Sequence, residues 1–163
     1  MWNPPIALTP EEQNIAARTR RTRKFFVFLR ERRHALLDAD LQHTLAQSSS
    51  ADPGGQAPVA VGLLALATLW HAYCHVGDRD AVALTVLEKR WQMVLDCLGA
   101  EQPPFSQGTL YNCRMRLIAH NLDKTLWDRT VAWAEHTGGF GARQLRAVLD
   151  SPRCLAPAGW RIR

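Results

Sequence analysis

Along most of the chain apolar residues recur at three- and four-residue steps, and the pattern breaks at clusters of Gly, Pro, Ser and Asp. Residues so spaced share one helix face, so the rhythm predicts helices laid against a core. Thr9-Pro10-Glu11-Glu12 opens the first. Thr9 can accept from the Glu12 backbone N–H, Glu12 can reach back, and proline suits the first helical position. This helix is expected to run on through the arginines that follow. Phe25, Phe26 and Phe28 then form an apolar anchor, and Asp38 or Asp40 can cap a second segment through Leu41 and Leu45. Residues 48–58 (SSSADPGGQAP) hold no apolar repeat and read as a linker.

Val59 to Val76 is apolar nearly all round, which predicts a central, buried helix ended by Gly77-Asp78-Arg79-Asp80. Leu84, Leu87, Trp91, Leu95 and Leu98 follow as one helical face or as two short helices in line. Gly99 to Phe105 is a rigid turn, because its two prolines cannot continue a helix. Ser106 caps a helix over Gln107 to His120 with a core stripe of Leu110, Cys113, Leu117 and Ile118. Asn121 suits a left-handed cap, and Asp123 starts a last helix through Leu126, Thr130 and Trp133, stopped at Gly138-Gly139. Gln144 to Pro152 is the one strand candidate. The expected class is all-α: a compact helical bundle with a helix-turn-helix-like segment and one short C-terminal strand or extended piece. Its expected divisions are a basic helical arm (1–47), the linker (48–58), a helical domain (59–142) and a C-terminal remainder (143–163).

With 163 residues, 47% of them hydrophobic, the chain can bury one proper core. The net charge of +5 is unevenly placed. Arg18 to Arg33 holds eight basic residues against Glu31, a local +7, so the rest of the chain stands at −2. A concentrated patch attracts polyanions, nucleic acid ahead of anionic membrane. Cys74, Cys97, Cys113 and Cys154 form no CxxC pair and read as reduced thiols of a cytoplasmic chain. MWNPPIALTPEEQ lacks the apolar core of a signal peptide, and the apolar stretch from Ala57 to Trp70 is too short to span a bilayer.

Three groups of residues carry candidate chemistry. Arg18, Arg20, Arg21, Arg23, Lys24, Arg30 and Arg33 can contact phosphates, each contact releasing a counterion; the plainer reading is a solvated helix face. Thr109, Asn112 and Arg116 fall on one side of the helix after Ser106, and Asn and Arg are the types that read adenine and guanine edges in the major groove. The plainer reading there is an amphipathic helix whose Arg114 and Arg116 pair with Asp123 or Asp96. His71 and His75 stand at ligand spacing, but no further ligand accompanies them, so no metal is expected. No glycine-rich phosphate loop, GxSxG or cysteine nucleophile is present, which points away from a metabolic enzyme.

The runs LLALATLWHAYCHVGDRDAV and KRWQMVLDCLGAEQPPFSQGTLYN, with LDS at Leu149 to Ser151, resemble the helical N-terminal (InsH-type) domain of bacterial insertion-sequence transposases. The resemblance covers roughly Trp2 to Pro152. It implies binding of element ends or duplex DNA. It also implies that Asp150 is the first carboxylate of an Asp-Asp-Glu set on an RNase-H-like domain, where intact relatives hold Mg²⁺. After Pro152 such proteins continue with something like LFGAGRVEDT, whereas this chain reads RCLAPAGWRIR, as a truncated or frameshifted copy would. The expectation is therefore a DNA-binding fragment that is no enzyme by itself and needs no cofactor. An intact transposase or a second copy are its further expected partners, and a membrane is not. The rival is a helical protein–protein module in which the basic run is incidental and Trp70, Trp91, Trp127 and Trp133 fill a partner interface. A basic membrane-surface helix is weaker still, because RTRRTRK at Arg18 to Lys24 has no opposing apolar face.

Overall fold

Local capping signals set four of the helix starts in the computed structural model, which describes residues 1–19, 24–48 and 59–137. The Glu12 N–H donates to Thr9 Oγ1 at 3.2 Å and the Thr9 N–H to Glu12 Oε2 at 2.7 Å, a closed capping box. It begins α1 (Pro10–Arg18), which ends at the first residue of the arginine run rather than passing through it. α2 (Lys24–Leu36) follows, then α3 (Ala39–Ser48), where Asp38 Oδ1 accepts from the Leu41 N–H at 2.9 Å. α4 (Val61–Cys74), α5 (Asp78–Leu87) and α6 (Lys89–Leu95) come next. α7 (Gln107–Ala119) is capped by Ser106, whose Oγ accepts from the Thr109 N–H at 3.1 Å. α8 (Leu122–Thr137) closes the described part. Every regular element among the described residues is an α-helix, as the all-α expectation held. The strand candidate at 144–152 and the stop at Gly138-Gly139 lie outside the described residues.

α4 is the central element, with Gly62 through Trp70 buried without a break. Leu29 and Leu36 of α2, Leu45 of α3, Leu66 of α4, Trp91 of α6 and Leu117 of α7 all belong to one apolar cluster. The described residues on both sides of 48–58 thus pack as one core, not as an arm and a separate domain. Aromatic contacts run through it. Trp70 stacks on Trp91 at 4.3 Å, Phe26 meets Trp70 at 6.2 Å, and Phe25 stacks on Tyr73 at 4.0 Å. These spacings lie at or near the range in which ring pairs add to the energy of burial. The N-terminus is tied to the same core: the Trp2 N–H donates to Gln42 Oε1 at 2.7 Å and Gln42 Nε2 returns to the Trp2 carbonyl at 3.0 Å. A Cβ on Gly62 would meet Trp2 Cβ at 3.3 Å, so glycine permits this approach.

Three expectations are corrected here. Leu84 to Leu98 follows the second of its two expected forms, two short helices with extended backbone at Glu88 between α5 and α6, but Leu87 is 77% exposed rather than on the apolar face. Ile118 sits half-buried at the edge of α7, outside the stripe formed by Leu110, Cys113 and Leu117. The connection from 96 to 106 is also far longer than the three or four residues of a helix-turn-helix turn. The tightly joined pair is instead α7 and α8, linked by His120 and a left-handed Asn121 (φ 56°).

Candidate nucleic-acid interface

The basic run does not form one surface. Arg18, in the last turn of α1, and Lys24, at the start of α2, are exposed. Arg20, Arg21 and Arg23 lie outside the described residues. Arg30 and Arg33, expected to extend the phosphate-facing side, are each 1% exposed, and that expectation is corrected. A guanidinium leaves water only when most of its donors are taken up. The fold takes up all three nitrogens of Arg30 and both terminal nitrogens of Arg33, leaving Arg33 Nε without a partner.

Arg30 Nε donates to Glu12 Oε1 at 2.6 Å and Nη2 to Glu12 Oε2 at 2.9 Å, a two-pronged pair 1% and 5% exposed. Its remaining donors reach the carbonyls of Ile6 at 3.2 Å and Ala7 at 2.9 Å. Burial raises the Glu12 pKa, but hydrogen bonds from Arg30 and the Thr9 backbone outweigh it and hold the carboxyl below its ordinary 4.5. Arg33 Nη1 donates to the Met93 and Val94 carbonyls at 3.3 and 3.1 Å, in the last turn of α6 where carbonyls lack helical partners. Its Nη2 reaches the Pro5 carbonyl at 2.9 Å and Asp96 Oδ1 at 3.2 Å. These two arginines fasten residues 5–7, α1 and α6 to α2, and neither can meet a phosphate.

α7 carries Arg114 and Arg116 and no acidic residue. Its buried stripe of Leu110, Cys113 and Leu117 puts the opposite pole at Gly108, Asn112, Met115 and Ala119, given about 100° of turn per residue. Those four are exposed, as is Tyr111 at the edge of the pole. The expected face is therefore rotated. Asn112 lies on it, whereas Thr109 and Arg116 stand half-buried on its flank. Tyr111 and Met115, 48% and 45% exposed, were not singled out by sequence. Counting from the core stripe to its opposite pole would have found Met115.

Arg114 turns to neither Asp123 nor Asp96. Its Nη2 donates to Asp78 Oδ2 at 3.0 Å, its Nη1 lies 3.2 Å from His71 Nε2, and the guanidinium is 5.7 Å from the Tyr111 ring centre. Burial, then the Arg114 charge, depress the His71 pKa against the pull of Asp78, which favours neutral imidazole. Asp96 is engaged with Arg33. Because Phe25 stacks on Tyr73 while Arg114 meets His71, the start of α2 and the middle of α7 flank the same end of α4.

Elsewhere, His75 leaves the helix in a left-handed conformation (φ 52°), so it does not share a helix face with His71. Among the described residues no three His, Cys, Asp or Glu side chains group to hold a metal. Burial pushes the Cys97 and Cys113 thiols to about 11, values that suppress thiolate chemistry. Trp70 and Trp91, expected by the rival reading to face a partner, are 2% and 0% exposed. Asp150 and Cys154 lie outside the described residues. Among the described residues no helix is long and apolar enough to cross a membrane. No protein-family model, curated protein or solved structure matches the chain.

Proposed function

We propose that this chain binds duplex DNA as a helical module of the insertion-sequence transposase type, laying the outer pole of α7 in the major groove. The observation that carries the reading is the character of that pole. Asn112 points outward on a helix with two arginines and no acid, at the end of α4 that Lys24 also flanks. Asn can donate to N7 and accept from the N6 amino group on the major-groove edge of adenine, and a helix fits that groove. Lys24 and Arg18 supply phosphate contacts, which position the protein without specifying sequence. The strand chemistry that the transposase resemblance attaches to Asp150 is no part of this binding role.

The test is duplex retention across a salt series. Affinity falls steeply between low and moderate salt, because each neutralised phosphate releases counterions. Asn112→Ala costs about 1–3 kcal/mol against a selected duplex. No retention in dilute buffer would overturn the reading, and an unaltered Asn112→Ala would remove α7 from the interface.

A further inference from the structure

Two large apolar side chains stand in water on the helix assigned to the groove. Tyr111 and Met115 are one turn apart, so they are surface neighbours, and Asn112 lies on the far side of Met115 from Tyr111 on the outward pole. Such groups normally turn inward, and on this helix Leu110, Cys113 and Leu117 already fill the inward stripe. Tyr111 is also held: the Arg114 guanidinium lies 5.7 Å from its ring centre and is itself fixed by Asp78 and His71. Asp78 and His71 side chains are 13% and 15% exposed, so an exposed aromatic ring is anchored from below by a half-buried cluster. A held aromatic ring with an exposed methionine beside it and an amide next to that, on a helix without acids, fits a polyanion that also offers apolar groups.

In the major groove the one such group on an unmodified base is the thymine 5-methyl. We infer that α7 reads A·T pairs, with Asn112 on adenine and the methyl of a neighbouring thymine seated between Met115 and Tyr111. Arg114 is then a positioning residue that sets the Tyr111 ring. This inference rests on the DNA-binding reading and adds the base class to it.

Two synthetic duplexes of equal length, alternating dA·dT and alternating dA·dU, differ only in that methyl. The wild-type chain should prefer dA·dT by about fourfold for each methyl seated, the factor that burial of one methyl group supplies. Met115→Ala should bring the ratio of the two affinities close to one, and Met115→Leu, which keeps the apolar bulk, should restore it. Equal wild-type affinity for both duplexes would overturn the inference and leave DNA binding standing. So would a preference that persists in Met115→Ala, since groove shape would then explain it. Retention of neither duplex in dilute buffer would overturn both readings together.

Discussion

α2 and α7 are both thirteen residues long, and each mixes arginines with bulky apolar side chains. They use that mixture in opposite senses. α2 turns Arg30 and Arg33 into the protein beside Phe26 and Leu29, and their donors close on Glu12, on carbonyls and on Asp96. α7 keeps Leu110 and Leu117 inside and presents Asn112 and Met115 to solvent. A sequence rich in arginine therefore does not by itself describe a charged surface. What decides is whether a carboxylate or a row of helix-end carbonyls waits within reach.

That contrast can be broken by substitution, and the largest effect belongs to the inner pair. Glu12→Ala leaves Arg30 buried without its carboxylate and should cost about 3–5 kcal/mol of stability in a denaturant melt. A loss under 1 kcal/mol would show that water reaches the site. The same carboxyl gives a pH test. Its folded pKa lies below its ordinary 4.5, so its stabilisation is present above that value and drains away as pH falls through the folded pKa. Glu12→Gln should flatten the acid limb of the stability profile.

On the outward side the effects are smaller and fall mainly on binding. Ser106→Ala removes the α7 cap and should cost about 1 kcal/mol of stability. An unchanged thermal midpoint would show that the first turn of α7 holds without it. Lys24→Ala, at an exposed position, should leave stability within about 0.5 kcal/mol. It should lower the slope of log affinity against log salt by about one. An unchanged slope would place the start of α2 away from the phosphates.

How much of this could be read beforehand follows from range. Thr9 with Glu12, Asp38 with Leu41, Ser106 with Thr109 and the left-handed Asn121 are events within three residues or at a single residue, and all are legible as spelling. So is α4, whose unbroken apolar character admits no solvent face. Arg30 and Arg33 were misread because their partners are remote. Glu12 is eighteen positions away and the Val94 carbonyl sixty-one, and no local rhythm encodes either meeting. Leu87 was misplaced because a single extended residue, Glu88, resets the helical phase. On α7 the core stripe was right at three of four positions, yet choosing residues by chemical type drew attention to Thr109 and Arg116 on the flank. Geometry selects Met115 beside Asn112.

The side chain of Gln92 has a consequence for the speed of any encounter. Buried at the centre of α6, it donates to the Val86 carbonyl at 3.0 Å and the Ala100 carbonyl at 3.2 Å, and accepts from the Gly99 N–H at 3.2 Å. One amide thereby welds the entrance and exit of α6, which leads toward α7, before any ligand arrives. A scaffold welded in this way has little left to order on contact, so association should be paced by diffusion and charge rather than by a slow rearrangement.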